Sequence, residues 1–394
     1  MIPGIHHPFY LRNDDLRAKL TRLATDQRTL LLIYSLAALT VTIQRGVFGF
    51  PNDFAIYRAA FWNLVHNQDL YVLRMDQAHD YFKYSPTFAL LFAPFAAPPF
   101  VVGLFLWNLA NALSIFFALR MLLPAEQWPI AHWLVFLPTL RSMQSSQSNA
   151  LVAALLIFAF VSFERGRLWQ AGWTIAVGTL TKIFPLVAAV FALPRPDRKP
   201  AILIGLTTMT ILIVIPLVII SPAGLLSQYQ SWGGLERTEA GLVTSSMMQL
   251  IRDAGVTWPA WPIQVLGAAV LLALLILRRA EWKDRSFRLQ FLGFVMVFCV
   301  VFNHRAERQS AVIALAGMVI WHLSSRPPRA GWRTVLVSLV YVLVAVSSTS
   351  VVPDALKQLL GPTIRFSAPL SLLWLVMVGD LVRTRSTVYA IERD

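Results

Sequence analysis

The sequence predicts an all-α, polytopic transmembrane protein, and two observations lead to this class. Hydrophobic residues make up 57% of the 394 residues and charged residues only 14%, with a mean hydropathy of +0.60, so a water-soluble fold would lack polar surface. The charges also cluster between long apolar runs instead of alternating with them. Because backbone polar groups in lipid must be satisfied within one segment, the runs are predicted to be helices.

The chain is predicted to hold about eleven to twelve membrane segments. Apolar helices of about 18 residues or more cross a hydrocarbon core of about 30 Å. Two segments leave the total open, because 87–97 is short and 171–193 is interrupted by Lys182 and Pro185. The other predicted spans are 29–43, 99–121, 129–141, 148–163, 201–220, 262–278, 287–302, 309–323, 333–351 and 367–382.

The distribution of basic residues predicts how the chain is oriented. The formal net charge is +14, and the basic clusters fall in short loops and tails between apolar runs. This positive-inside pattern argues against nucleic acid as a partner and places both termini of a multi-pass cell-membrane protein in the cytoplasm. Residues 1–28 are expected to form an amphipathic segment on the cytoplasmic membrane surface, and 29–394 a single transmembrane domain. Its first outer loop is 45–86, and a second large outer loop is 222–261.

Several common catalytic and binding motifs are missing from the sequence. Cys299 is the only cysteine, which excludes an internal disulfide and a cysteine-based metal site. No glycine-rich phosphate loop, zinc-type ligand spacing or Ser-His-Asp arrangement is present. The candidate site residues are therefore the polar groups near the predicted outer face.

The first outer loop carries the leading candidate for a catalytic acid. Asp53 stands at the start of a predicted amphipathic helix, in which apolar residues recur at helical spacing from Ile56 to Leu64. One interpretation is that Asn52 or Asp53 caps this helix by accepting backbone N–H groups. The other is a catalytic carboxylate held where the outer membrane surface meets a cavity. The two roles are compatible, because a cap would fix the carboxylate in place.

The end of the same loop combines a lysine with aromatic residues. Lys83 and Tyr84 precede Pro86, which starts the next apolar helix, where a missing N–H has no cost. The aromatic residues could form a belt at the membrane interface. Lys83 is either an anchor that snorkels to the interface or a partner for a phosphate.

Polar groups also interrupt two apolar regions further along. Lys182 lies in an apolar segment, where an ionisable residue is costly and indicates a function, unless it snorkels or pairs with a helix carbonyl. A polar stretch with His304, Arg305 and Arg308 lies on the predicted outer side. It is either a binding loop or a solvated loop in which Glu307 pairs with one of the arginines.

The first outer loop resembles that of the family-87 glycosyltransferases. These are multi-spanning enzymes of the GT-C fold, and they include mycobacterial mannosyltransferases that depend on polyprenyl-phosphate-mannose, and related arabinosyltransferases. The overall spacing is also similar across most of the chain. The residues that carry the resemblance in this loop are Asp53-Phe54, Tyr57, Leu70-Tyr71 and Tyr84-x-Pro86.

Two later elements are similar to motifs of the same family. Gln147-Ser148-Asn149 is similar to its G-Q-x-N element, and Lys182-Ile183-Phe184-Pro185 is similar to its K-x-x-P element. The chain departs from the family at Ser146 and at Asn67-Gln68, where glycine is usual. Neither departure removes a side chain that performs chemistry. The departures therefore affect the expected local backbone geometry more than the expected activity.

The resemblance implies a membrane glycosyltransferase of the GT-C fold. Such an enzyme moves a hexose or pentose from a polyprenyl-phosphate sugar to a glycolipid or glycan acceptor at the outer face, with inversion. The transfer requires one base, and the catalytic aspartate of the family falls at Asp53. Asp53 is followed by Phe54 and not by a second acid, so no metal or other cofactor is expected. The alternative from another class is a transporter or lipid flippase without covalent chemistry.

The leaving group of this transfer is a lipid phosphate, whose charge needs cations or N–H groups. Together with Asp53, Lys182 and His304 are expected to converge on one outward-opening cavity. The residues expected to bind the donor phosphate or the substrate are Lys182, His304, Arg305, Arg308, Lys83, Tyr84, Gln147 and Asn149.

Overall fold

Every secondary-structure element is a helix in the computed structural model, which describes residues 9–325 and 331–383. Residues 1–8 and 384–394, which hold both predicted cytoplasmic termini, lie outside the described residues. The α-helices, numbered in chain order, are α1 (Phe9–Thr25), α2 (Gln27–Gly46), α3 (Asn52–Val65), α4 (Pro86–Leu91), α5 (Ala93–Ala96), α6 (Phe100–Leu122), α7 (Trp128–Gln144), α8 (Asn149–Glu164), α9 (Leu168–Thr181), α10 (Arg198–Val214), α11 (Pro222–Glu239), α12 (Met247–Asp253), α13 (Ala260–Leu277), α14 (Arg285–Val301), α15 (Ala311–Leu323), α16 (Gly331–Val344), α17 (Asp354–Pro362) and α18 (Ala368–Arg383). Tighter 3-10 turns at Phe184–Ala192, Ile215–Val218, Arg279–Lys283, Arg308–Ser310 and Val346–Ser348, and a π turn at Thr363–Ser367, extend or link them.

Within the described residues, six helical segments are long and apolar enough to cross a membrane. This confirms the predicted class, an all-helical protein with several membrane-spanning helices. The predicted total of about eleven to twelve also counted α7, α8, α14 and α15, which have only 13 to 17 residues. The six long segments are Gln27–Gly46, Phe100–Leu122, Arg198–Val218, Ala260–Leu277, Gly331–Ser348 and Asp354–Arg383.

The short helices α14 and α15 form the centre of the bundle, and nearly all of their residues are buried. Their backbones touch where Gly293 faces Gly317, since a Cβ added at Gly293 would lie 2.4 Å from the Gly317 carbonyl oxygen. Small residues at a crossing allow this close packing in membrane proteins. A helix surrounded by protein does not have to match the thickness of the bilayer, which explains why these two are shorter than the outer ones.

Neither of the two open segments forms one continuous helix. Residues 87–97 fall in the short helices α4 and α5. Residues 171–193 divide at Lys182, which is extended (φ −148°, ψ 133°) and ends α9 before the 3-10 turn that contains Pro185. The proline has no N–H to continue a helix, and the break leaves the lysine at a helix end and not in the middle of a span.

Several helix ends meet at one end of the bundle, which we call the Asp53 end. The side chain of Gln144, at the end of α7, donates to Gln44 of α2 over 3.3 Å. Lys182, directly after α9, reaches Asn149 at the start of α8, with 2.7 Å between Nζ and Oδ1. The segment that joins α14 to α15 follows Val301 at the same end. These contacts gather residues from distant parts of the sequence.

Candidate active site

Helix α3 holds Asp53 in its first turn, and packing of its buried face fixes the helix. Phe54 and Tyr57 are buried among aromatic rings, and Phe54 lies edge-on to Phe100 with 5.2 Å between centroids. The N-cap position is Pro51, and no side chain caps the helix. The Asn52 amide oxygen instead accepts from the backbone N–H of His79 over 3.0 Å. Helix capping therefore does not occupy the carboxylate of Asp53.

Asp53 is surrounded by groups from three other parts of the chain. It forms a hydrogen bond with Gln147, and the charges of Glu307 and Lys182 lie close to it. Burial, followed by repulsion from Glu307, raises the pKa of Asp53 from 3.8 to about 6, against the opposing effects of Gln147 and Lys182. A carboxyl group with this pKa is ionised at neutral pH and is still basic enough to accept a proton.

A chain of hydrogen bonds connects the acidic and basic groups of the site. The Gln147 amide donates to the Glu307 carboxylate. Asn149 Nδ2 donates to Gln147 Oε1 over 2.5 Å, and Lys182 Nζ donates to Asn149 Oδ1 over 2.7 Å. Gln147 thus bridges both carboxylates, and Asn149 connects it to the lysine.

The backbone just before Gln147 adopts a conformation that favours glycine. Ser146 has φ 56°, in the left-handed region, and its carbonyl accepts from the Trp107 indole over 2.7 Å. Asn67 has φ 55°, and no other non-glycine residue in the described ranges has a positive φ. The two positions at which the sequence departs from the family's glycines therefore keep the left-handed backbone that a glycine would adopt most easily.

Two tyrosines lie beside Lys182. The hydroxyl groups of Tyr57 and Tyr84 are 2.7 Å apart, and the Lys182 ammonium lies 6.0 Å from the centroid of the Tyr84 ring. Burial, together with the charge of Asp53, raises the pKa of Tyr84 above its usual range, so its hydroxyl stays protonated. The tyrosines can therefore donate hydrogen bonds but supply no second base.

A cavity of about 640 Å³ opens beside this network, and we call it the apolar cavity. One wall comes from α13, where Trp261 and Val265 are 66% and 59% exposed. Such apolar exposure on a helix able to span a membrane indicates a surface that faces lipid. The lining combines apolar side chains with polar groups at one end: Ile183, Phe184, Trp232, Trp261, Val265, Ala268, Phe298 and Phe302 with Lys83, Tyr84, Lys182, His304, Arg305 and Glu307.

The cationic candidates in the apolar cavity differ in how strongly carboxylates hold them. Arg305 donates to both Glu236 and Glu239. Lys83 lies 3.2 Å from Glu239 and 3.2 Å from Asp80. Lys182, in contrast, is held by the neutral amide of Asn149. Among the described residues, no carboxylate oxygen forms an ion pair with Lys182, in contrast to Lys83 and Arg305.

His304 contributes a neutral ring to this cavity. Its Nδ1 lies 3.3 Å from the Gln264 amide. Burial, followed by the charge of Arg305, lowers the pKa of His304 below its usual value of 6.5. At neutral pH the imidazole is therefore uncharged, and it can form hydrogen bonds but adds no cation.

Four of the sequence-predicted site residues do not line the apolar cavity: Asp53, Gln147, Asn149 and Arg308. Arg308 lines a different cavity and not the apolar cavity, whereas Lys83, Tyr84, Lys182, His304 and Arg305 line the latter. Gln147 and Asn149 connect to it through hydrogen bonds to Glu307 and Lys182. Of the three residues expected to converge on one cavity, Lys182 and His304 line the apolar cavity, whereas Asp53 does not line it and connects to it through Gln147 and Glu307.

Sequence reasoning missed the position of Glu307. The sequence is compatible with a binding loop and with a loop in which Glu307 pairs with an arginine, whereas in the structure Arg305 pairs with Glu236 and Glu239 of α11. Glu307 instead accepts from Gln147 and faces Asp53. No spacing in the sequence connects these acids, because α11 and the loop after α14 are far apart along the chain. Among residues 9–325 and 331–383, three or more histidine, cysteine or acidic side chains do not gather where they could hold a metal ion.

Fold and site together define a class: a membrane-spanning helical protein with a carboxylate and cations gathered beside a cavity with an apolar wall. The sequence model of glycosyltransferase family 87 matches residues 82–302, more than half of the chain. The chain therefore belongs to glycosyltransferase family 87, as the motifs indicated, and is a membrane glycosyltransferase. A comparison with curated proteins found no match. The matched region includes Lys182, while Asp53 and His304 lie outside it.

Proposed function

We propose that the protein transfers a sugar from a polyprenyl-phosphate donor to a glycolipid or glycan acceptor, with inversion, at the extracytoplasmic face of the cell membrane. Asp53 serves as the general base and no metal takes part. The polyprenyl chain lies against the apolar wall formed by α13, and the donor phosphate lies at the polar end near Lys182. One observation carries this proposal: a lipid-facing wall and a lysine that no carboxylate contacts directly line one cavity, and Glu307 and Gln147 connect that cavity to a carboxylate with a raised pKa.

In this reaction the acceptor hydroxyl attacks the anomeric carbon as its proton moves to the Asp53 carboxylate. The bond from the anomeric carbon to the phosphate oxygen breaks, and the electron pair leaves with the polyprenyl phosphate. The pKa of about 6 lets Asp53 start ionised at neutral pH and hold the proton in the transition state. Gln147 positions the carboxylate by bonding both to it and to Glu307.

Lys182 stabilises the charge that develops on the departing phosphate. Asn149 holds the ammonium group by one hydrogen bond, which leaves two N–H groups for phosphate oxygens. His304 donates a further hydrogen bond in its neutral form. Lys83 and Arg305 contribute less, because Asp80, Glu236 and Glu239 already compensate their charges. A cation used mainly in the transition state raises the rate without trapping the product.

The test is a transfer assay with the purified chain in lipid nanodiscs and a panel of polyprenyl-phosphate hexoses and pentoses. We expect transfer from one donor and no loss of activity in EDTA. If the wild type binds these lipids but moves no sugar from any of them, the proposal fails and a transporter or flippase function is favoured. If EDTA abolishes transfer and Mg²⁺ restores it, the metal-free mechanism is wrong.

A further inference from the structure

A second cavity lies at the Asp53 end, and the transfer mechanism above makes no use of it. Its volume is about 730 Å³, and we call it the arginine cavity. Arg45 comes from the last turn of α2, Arg141 from the last turn of α7, and Arg308 from the turn before α15. Many of the other lining side chains are amides and hydroxyls: Gln44, Gln144, Ser145, Thr244, Ser245, Gln309, Ser348 and Ser350.

The protein offsets only part of the positive charge of the arginine cavity, because Glu307 is the one acid among its described lining residues. In the described part of the chain, Arg45, Arg141 and Arg308 form no ion pair. Arg141 and Arg308 are close enough to repel each other, and the buried Arg365 adds to that repulsion. The dipoles of α2 and α7 favour cations at their C-terminal ends but supply only about half a charge each. Three arginines therefore face a single carboxylate, that of Glu307, and this excess of positive charge indicates a site for an anion.

The arginine cavity adjoins the reacting groups. Glu307 lines both cavities and accepts from Gln147, which hydrogen-bonds with Asp53. The wall between the cavities is the loop after α14. Thr244 braces this loop, because its N–H donates to the His304 carbonyl over 2.8 Å and its hydroxyl to the Ala306 carbonyl over 2.7 Å. A molecule in the arginine cavity is therefore separated from the apolar cavity by this loop and is connected to Asp53 through Glu307 and Gln147.

We propose that the arginine cavity binds a phosphate group carried by the acceptor. This inference rests on the proposed transfer, because it treats the two cavities as donor and acceptor sites of one reaction. Guanidinium groups match phosphate oxygens in bidentate geometry, and amide and hydroxyl side chains match sugar hydroxyls. The volume exceeds what a phosphate alone requires, so it leaves room for the glycan that is extended. The phosphate belongs either to a lipid headgroup or to a soluble phosphorylated glycan.

The test measures binding without turnover, using the full chain in phosphatidylcholine nanodiscs. The soluble probe is inositol 1-phosphate, compared with inositol, and titration calorimetry gives the Kd. The lipid probe is phosphatidylinositol added to the nanodiscs, and native mass spectrometry measures how much lipid the protein retains. Binding of the soluble probe identifies a free phosphorylated compound as a possible source, while retention of the lipid alone identifies a headgroup.

The decisive variant is Arg141→Gln/Arg308→Gln. We expect it to weaken binding of the phosphate-bearing probe by about tenfold to a hundredfold, because hydrogen bonds between charged groups are the strong ones. Lys182→Gln is the matched control for the apolar cavity and should leave probe binding unchanged. Arg237→Gln/Arg252→Gln, which removes two exposed arginines that line neither cavity, controls for net charge.

Equal binding by the wild type and the Arg141→Gln/Arg308→Gln variant, or no binding of either phosphate probe, would overturn this proposal. If the glutamine variant does not fold, Arg141→Lys/Arg308→Lys keeps the charge but loses bidentate geometry, and it should bind more weakly than the wild type. Repeating the titration with Asp53→Asn separates the two proposals. That variant lacks the proposed base but keeps the arginines, so its phosphate binding does not depend on whether transfer occurs.

Discussion

The apolar cavity and the arginine cavity share the side chain of Glu307 but treat positive charge in opposite ways. In the apolar cavity, carboxylates of Glu236 and Glu239 hold Arg305, and Lys83 is similarly paired. In the arginine cavity, Arg45, Arg141 and Arg308 have no such partners among the described residues. Cations are abundant in both, so their number does not distinguish the two.

This difference indicates separate roles for the two cavities. A departing polyprenyl phosphate carries more negative charge than the donor, and fully free arginines around it would hold the product tightly. Carboxylates that compensate most of the cations limit this binding, and Lys182 remains to act as charge develops. An acceptor phosphate keeps its charge throughout the reaction, so uncompensated arginines can bind it without slowing the chemical step.

The largest effect is expected from Asp53→Asn, which tests whether the reacting centre lies between the cavities. Transfer should fall by about 10² to 10⁴-fold, the usual contribution of a general base. A single-turnover assay with donor bound in advance measures it. The control is Asp76→Asn, an exposed acid in the same loop that lines neither cavity. Undiminished turnover in Asp53→Asn would remove Asp53 from the mechanism.

The same variant should remain folded, and the sign of its stability change follows from the pKa. Because the folded-state pKa of Asp53 is raised from 3.8 to about 6, the native state binds more protons than the unfolded state between these values. Stability therefore falls as pH rises through this range, and the ionised group destabilises the fold at pH 7. Asp53→Asn should keep or raise the melting temperature at pH 7. A clear decrease would indicate a structural role instead.

Lys182→Gln is expected to have the next largest effect and sharpens the comparison of the cations. Removing one donor to a developing negative charge costs about 10² to 10³-fold in rate. By contrast, Lys83→Gln should cost less, because Asp80 and Glu239 already compensate Lys83. Steady-state kinetics with varied donor measures both. Equal losses in the two variants would contradict the idea that compensation by carboxylates decides which cation acts.

The pH profile tests the shared position of Glu307. Transfer by the wild type should rise through about pH 6 as Asp53 ionises, falling about tenfold for each pH unit below. Glu307→Gln removes a charge that raises this pKa, so the acidic limb should move to lower pH. Lys182→Gln removes a charge that lowers it, so in that variant the limb should move to higher pH. Shifts in the same direction in both variants would show that the limb does not report Asp53.

The smallest effect is expected at Ser146, in the turn that aims Gln147 between the cavities. Ser146→Gly should stabilise the protein by about 1 kcal/mol, because a left-handed conformation costs that much for a residue with a Cβ. Thermal unfolding in nanodiscs measures the change. The comparison is Asn67→Gly, which should gain less, since asparagine tolerates the left-handed region. A loss of stability in Ser146→Gly would mean that the serine hydroxyl has a partner that outweighs the strain.

Much of the fold followed from the sequence, but the roles of several helices did not. Apolar run length predicted the helical membrane class, and Lys182 with Pro185 marked the segment that breaks. Apolar length could not distinguish a helix that faces lipid from one enclosed by protein, since both are equally hydrophobic. Burial of α14 and α15 around Gly293 and Gly317 became evident only from their packing.

The sequence alone determined the membrane class, the family motifs and the candidates Asp53, Lys182 and His304, because composition and short motifs depend on neighbours along the chain. The tertiary structure decided which charges compensate one another. In the folded chain, Arg305 forms ion pairs with Glu236 and Glu239, and Glu307 accepts a hydrogen bond from Gln147. Arg308 lines the arginine cavity. Electrostatic interactions depend on distance in space, and helix packing sets the distances between charges that lie up to hundreds of residues apart.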